Sequence, residues 1–264
     1  MLGSNERVVP LDGGINFRDI GGYRSRDGRY VKWQKLLRCG HLGNLSDSDV
    51  SRLESVGVNQ IHDFRRREEQ ERSPNRSMRA QVFDDYQISI GSMSRFWDIL
   101  LEGRLTAASS QSLVMNSYRD CIDEVSPAYS RFLREILNNS EGTSIFHCAA
   151  GKDRTGMAAG LILSALDVPR ETIVEDYLLT LQHFDSEHLL TLVEQHLHDA
   201  KVEYWERDWL MPYCAVHRDN IEAFFDSIDQ RYGDVKTYLE KALKFNRHDQ
   251  EQMRQMFLEG ASCE

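Results

Sequence analysis

The sequence contains no apolar run long enough for a membrane-spanning helix and no secretory leader pattern. The cytoplasm is therefore the expected location, with room for export by a signal-less route, and no stable membrane insertion is expected. Cysteines are few and unpaired in pattern. The five, Cys39, Cys121, Cys148, Cys214 and Cys263, are scattered and odd in number, which fits a reducing compartment better than a disulfide framework. No Cys-x-x-Cys or His-Glu-x-x-His occurs, so the usual zinc patterns are excluded. Positive charge is short as well. Against 42 acidic residues stand 32 Lys and Arg, a formal net charge of −10. That balance argues against nucleic acid or an anionic membrane as a partner held by overall charge. There is no internal repeat and no low-complexity segment.

What the chain does have is organised around His147-Cys148-Ala149-Ala150-Gly151-Lys152-Asp153-Arg154-Thr155-Gly156. Thr143 to His147 is a short β-branched and aromatic run after Gly142, which predicts a strand. Residues 155–166 predict a helix. A loop from a strand end into a helix start can turn its N–H groups inward and add the positive end of the helix dipole, a geometry suited to phosphate. Gly151 permits positive φ, and Ala149 and Ala150 keep the rim narrow. Arg154 offers a planar fork for two phosphate oxygens. The same cradle favours a thiolate at Cys148, aimed at phosphorus. A nucleotide-binding loop is a poorer fit: Phe146 stands where the first glycine is needed, and Asp153 follows Lys152.

The 264 residues, 41% hydrophobic, suffice for a sizeable core, and one domain over residues 1–264 is expected. Residues 1–9 read as an unanchored arm, and 13–38 as hairpins. Arg18 and Asp19 lie beside Gly21-Gly22. They form either a buried ion pair pinning this segment or, through Arg18, a border of the phosphate site. Ser46 is the expected N-cap of a helix through Leu53, ended by Gly57. Val58 to Phe64 reads as a central strand with Asp63 and Arg65 at its carboxyl end, the side where open α/β sheets bind ligands. Arg65 to Arg72 is a mixed charge run, expected as a solvated helix face. Arg79 to Phe83 reads as a further strand, with Asp84 and Asp85 after it. Residues 90–122 read as irregular helix. Ser126 is the expected N-cap, with Pro127 in first position, of a helix whose apolar face is Tyr129, Phe132, Leu133, Ile136 and Leu137. Gly156 and Gly160 suggest close approach of the next helix to the sheet. A helix starts at Pro169, and from about Ser186 the chain is helical, with apolar stripes fit for a core. The aromatic stretch Tyr204 to Tyr213 interrupts that pattern.

His147 to Gly156 resembles the signature loop of the cysteine-dependent protein tyrosine phosphatase superfamily. Its Gly-Lys-Asp-Arg-Thr-Gly version resembles the atypical bacterial tyrosine and phosphoinositide phosphatases. Asn16 to Tyr23, Asp63-Phe64-Arg65 and Asp176-Tyr177-Leu178-Leu179 are similar to other motifs of that group, in the same order. The fold expected is α/β: a central, mostly parallel sheet flanked by helices, with a helical C-terminal part. The resemblance implies that approximately residues 185–215 form a lid over the site.

It also implies phosphate-monoester hydrolysis without metal or cofactor. Cys148 attacks and forms a cysteinyl-phosphate. Arg154 and the loop from Ala149 through Thr155 hold the equatorial oxygens. The Thr155 hydroxyl can donate to the Cys148 sulfur, and His147 orients the loop. Asp153, directly before the arginine as in myotubularins and Sac-type phosphatases, is the first choice as general acid. Asp63, Asp84 and Asp85 follow it, and Asp153 in that role predicts an acidic pH optimum. Lys152 adds a second cation that would favour substrates with more than one phosphate. The expected partners are a phosphotyrosine protein, with phosphoserine, phosphothreonine and phosphoinositides beside it. The alternatives are a dedicated phosphoinositide or inositol-polyphosphate phosphatase, a non-catalytic phosphate-binding module, or a rhodanese-like or arsenate-reducing thiol enzyme. Oligomeric state is not set by the sequence.

Overall fold

The computed structural model describes residues 6–139 and 141–260, with side chains for all of these except 91–94. Seven strands are present among them: β1 (Arg18–Asp19), β2 (Tyr30–Val31), β3 (Leu36–Cys39), β4 (Val58–Asp63), β5 (Gln81–Phe83), β6 (Thr143–His147) and β7 (Leu258–Glu259). The first helices are α1 (Asp47–Ser55), α2 (Arg67–Arg72), α3 (Gly91–Leu101), α4 (Ala107–Asp120), α5 (Ile122–Leu137) and α6 (Asp153–Ala165). Then come α7 (Arg170–Leu178), α8 (Thr180–His183), α9 (Ser186–Asp199), α10 (Arg207–Cys214), α11 (Arg218–Tyr232), α12 (Val235–Lys241) and α13 (Arg247–Phe257).

The main sheet has the order β1-β3-β6-β4-β5. Only edge strand β1 runs antiparallel to its neighbour; β3, β6, β4 and β5 are parallel. Every residue of β6 is buried, as a central parallel strand requires. Alternation along it sends Ile145 to one face, with Leu37, Leu53 and Ile61, and Phe146 to the other, with the main helical core. Register aligns Cys39 and Asp63 with His147, so three strands end at one rim and Cys148 leaves from its middle. Helix α6 is buried from Thr155 to Ala165, which its apolar, small-residue sequence permits on all sides. The expected α/β architecture is therefore present.

Four local expectations need correction. The arm is anchored over its described part: Arg7 O accepts from Asp19 N at 2.9 Å, the Arg7 guanidinium donates to Asp19 O and Gly21 O, and Val9 is buried. Residues 1–5 lie outside the described residues. Second, Ser126 is not an N-cap. Helix α5 begins at Ile122 and carries Pro127 inside it, while Ser126 Oγ donates to Ile122 O at 2.6 Å. An interior proline costs about 3 kcal/mol. Burying Ile122 and Val125 on the same apolar face contributes about 1.5–3 kcal/mol each and outweighs it.

Third, Gly156 and Gly160 face helices, not the sheet. A Cβ on Gly156 would meet the Tyr177 ring at 2.7 Å, and one on Gly160 would meet Phe225 at 3.0 Å. Fourth, Leu258–Glu259 forms a strand, paired with Tyr30–Val31, that the helical reading of the C-terminal part missed. The Ser46 cap was legible: its side chain accepts from Asp49 N, and Asp49 caps back.

Candidate active site

The loop after β6 is shaped from outside by hydrogen bonds to its carbonyls. Ala149 O accepts from His41 N at 2.9 Å, and Ala150 O from Asn16 Nδ2 at 3.2 Å. Gly151 O accepts from Asn16 Nδ2 and an Arg38 terminal nitrogen, each at 3.0 Å. In a planar trans peptide the N–H points opposite its C=O. These bonds therefore turn the N–H groups of Ala150, Gly151 and Lys152 toward the inside of the loop. Gly151 has φ +67°, and a Cβ there would lie 2.5 Å from the Cys39 backbone. No other residue fits that position. Cys148, 2% exposed, sits at the base.

Arg38 is itself held. Asp176 of α7 accepts from Arg38 at 2.5 Å and lies 3.6 Å from Arg18 Nε, all three side chains being buried. Burial opposes the Asp176 charge, yet Arg38 and Arg18 hold its carboxyl below the usual range. Burial and the neighbouring Arg38 push Arg18 down to about 9. Arg18 thus pairs with Asp176 rather than with Asp19, whose oxygens accept from Gly21 N and Gln34 N. It braces the loop at one remove and does not border the phosphate site.

Arg154, in the first turn of α6, meets Glu69 of α2 through both terminal nitrogens at 2.7 Å. Tyr129 OH donates to Arg154 O at 2.8 Å. Burial works against both charges, but the paired hydrogen bonds hold Glu69 at about 2 and Arg154 above its ordinary value. Sequence reasoning missed Glu69, because it lies in the charge run expected as a solvated face. Its partner is 85 residues away, and no local signal reports that.

Asp153 Oδ1 accepts a hydrogen bond from Tyr118 of α4, whose hydroxyl is 2.7 Å from that of Tyr177 on α7. Lys152 turns the other way. Its ammonium, 2% exposed as a residue, donates to Tyr213 O at 2.7 Å and Cys214 O at 2.9 Å, the last carbonyls of α10. Thr155 Oγ1 is buried and makes no hydrogen bond among the described residues, so the expected donation to the Cys148 sulfur is not made. Asp153, Arg154 and Glu69 open on a cavity of about 320 Å³, also lined by Arg66, Trp97, Asp98 and Tyr213.

The other named residues lie elsewhere. His147 Nδ1 faces Cys148 O at 3.1 Å and Nε2 faces Asn75 Nδ2 at 3.2 Å. A carbonyl can only accept and an amide NH₂ only donate, so the proton is on Nδ1. Burial pushes His147 down to about 4, leaving it neutral. Asp63 accepts from Arg65 Nε at 2.9 Å and from Asn75 Nδ2 at 3.0 Å. Asp63, Arg65 and Asp84 line a separate cavity, and Asp85 pairs with Arg131 at 2.6 Å on the surface. These carboxylates are not brought to the loop's open side. Among the described residues, no group of three or more His, Cys, Asp or Glu is placed to hold a metal ion.

A thiol-bearing anion cradle at the carboxyl edge of a parallel sheet, with an arginine fork beside it, defines a phosphatase of the tyrosine-phosphatase type. The chain belongs to the tyrosine phosphatase family, whose sequence model matches residues 9–259. It is similar to a Cupriavidus necator protein provisionally named a tyrosine-protein phosphatase, 31% identical over 93% of this chain and 86% of that protein. It is also similar to the triple specificity protein phosphatase PtpB of Mycobacterium tuberculosis, 26% identical over 89% of this chain and 94% of that protein. A tyrosine-protein phosphatase of Nostoc commune is 28% identical over 58% of this chain and 50% of that protein.

Proposed function

We propose that the chain hydrolyses phosphate monoesters through a cysteinyl-phosphate, with protein phosphotyrosine as the leading substrate. Cys148 Sγ attacks phosphorus as the bond to the leaving oxygen breaks. The inward N–H groups of the loop, that of Lys152 included, and the Arg154 fork take the equatorial oxygens. Asp153 gives the leaving oxygen its proton, then takes one from the water that cleaves the S–P bond. The observation that carries this reading is that Cys148, Asp153 and Arg154 stand on a loop whose Ala149, Ala150 and Gly151 carbonyls are drawn outward.

Trp97 and Tyr213 on the cavity wall suit an aromatic leaving group. The triple specificity in the name of the mycobacterial relative supports phosphoserine and phosphothreonine as further substrates. A dedicated phosphoinositide or inositol-polyphosphate phosphatase is the second reading. Its motive, a free second cation at Lys152, is weakened because that ammonium is spent on α10; the further cation lining the cavity, Arg66, is exposed and lies 3.4 Å from Glu69.

The test is phosphate release by wild type and Cys148→Ser, with EDTA, on phosphotyrosine and phosphoserine peptides and mono- and bisphosphorylated phosphoinositides. Cysteine-dependent release ranked highest for phosphotyrosine by kcat/KM is expected. A ranking led by the lipids moves the assignment to the second reading. No release from a folded protein leaves a phosphate-binding module.

A further inference from the structure

The motif Asp176-Tyr177 is not used by the chemistry above, yet both side chains reach the loop region. Asp176 acts on its far side, through Arg38. Tyr177 acts on its near side. Its ring packs on Gly156, where any Cβ would collide with it, and its hydroxyl meets that of Tyr118 at 2.7 Å. Both tyrosines are buried, and burial holds both phenols well above their ordinary range, so both stay protonated.

Chemistry fixes the direction of the chain. When Asp153 is ionised its carboxylate can only accept, so Tyr118 then spends its one proton on Asp153 Oδ1. Tyr177 must therefore donate to the Tyr118 oxygen. Oδ1 is thereby occupied, and Oδ2, 4.0 Å from Lys152 Nζ, is the oxygen left without a hydrogen bond among the described residues, on a residue that lines the cavity.

We propose that Tyr118, backed by Tyr177, is a positioning residue that fixes which oxygen of Asp153 carries the catalytic proton. This rests on Asp153 being the general acid. In the first step Oδ2–H gives its proton to the leaving oxygen as the P–O bond breaks and the S–P bond forms. The Tyr118 donor stabilises the carboxylate so formed. In the second step Oδ2 takes a proton from water as the S–P bond breaks. Oδ1 stays on Tyr118 throughout.

The readout is dependence on the leaving group. Phenol needs the acid's proton; p-nitrophenol departs without it. Asp153→Asn should lower kcat/KM for phenyl phosphate by about 10²–10³-fold and leave that for p-nitrophenyl phosphate much less affected. Tyr118→Phe should do the same selectively, by about tenfold. Its alkaline limb for phenyl phosphate should move to higher pH, because losing a donor to the charged form disfavours that form. Once Asp153→Asn is made, adding Tyr118→Phe should cost nothing further. Tyr177→Phe should act in the same direction but less, and it carries the test if Tyr118→Phe does not fold.

Equal losses on both substrates with an unmoved limb would overturn the positioning role, as would a double variant in which the losses multiply. Undiminished activity of Asp153→Asn on phenyl phosphate would instead sink the Asp153 assignment and the proposal with it, and Asp98 on the same cavity would be the next acid to test.

Discussion

Glu69 grips Arg154 end-on, with each carboxylate oxygen 2.7 Å from a terminal guanidinium nitrogen. The Nε edge of Arg154 takes no part in this pair, so the grip orients the fork without closing it. Glu69→Ala should lower kcat/KM by about 100-fold, since a small misplacement of a clamp is felt that strongly. Steady-state kinetics with a phosphotyrosine peptide, beside a circular dichroism check of folding, would decide it. A loss under twofold would mean that the α6 start alone orients Arg154.

That pair also marks where local reading stops. The loop was legible because its chemistry is written in ten consecutive residues, and the strand before it and the helix after it follow from periodicity. The Ser46 cap was legible for the same reason. Glu69, Arg38 and Tyr118 were not. Each acts through a partner 35 or more residues away, and nothing in its own neighbourhood distinguishes it from a solvated or core residue. Pro127 misled because a local rule for helix starts lost to an apolar face extending beyond it. Asp63 misled because a strand's carboxyl end has two sides, and its side chain bonds Arg65 and Asn75 behind His147.

Acid should unfold this protein through its buried histidines. Burial holds His62 at about 3 and His147 at about 4 in the folded chain, against 6.5 when exposed. The unfolded chain therefore binds protons first, and stability is lost as pH falls from about 6.5 toward about 4. Urea unfolding between those limits should show an uptake of about two protons from this pair. A flat profile over that window would contradict neutral histidines in the core.

Asp176 is the single anion between two buried guanidinium groups. Asp176→Asn should destabilise the fold by about 3–5 kcal/mol, the usual cost of leaving a buried charge unpaired. Urea denaturation measures it. Activity per folded molecule should fall as well, because Arg38 would no longer be fixed on Gly151 O. A variant within about 1 kcal/mol of wild type would show that water reaches the triad.

Lys152 joins the loop to the last turn of α10, which belongs to the segment proposed as a lid. Lys152→Met removes both hydrogen bonds to that turn. Limited proteolysis of the connection at 200–206 should then be faster by about tenfold, the effect of about 1.4 kcal/mol on an opening equilibrium. Phosphate should slow cleavage in wild type. Equal rates in both proteins would mean that α10 is held by its packing on α4 and α9 alone.

The outward carbonyls of Ala149, Ala150 and Gly151 have a last consequence. A receptor whose form is set by struts from Asn16, Arg38 and His41 does not need its guest to assemble it. It is as ready for the released anion as for the ester. Inorganic phosphate should therefore be a competitive brake, so that turnover follows the surrounding phosphate level as well as the supply of substrate.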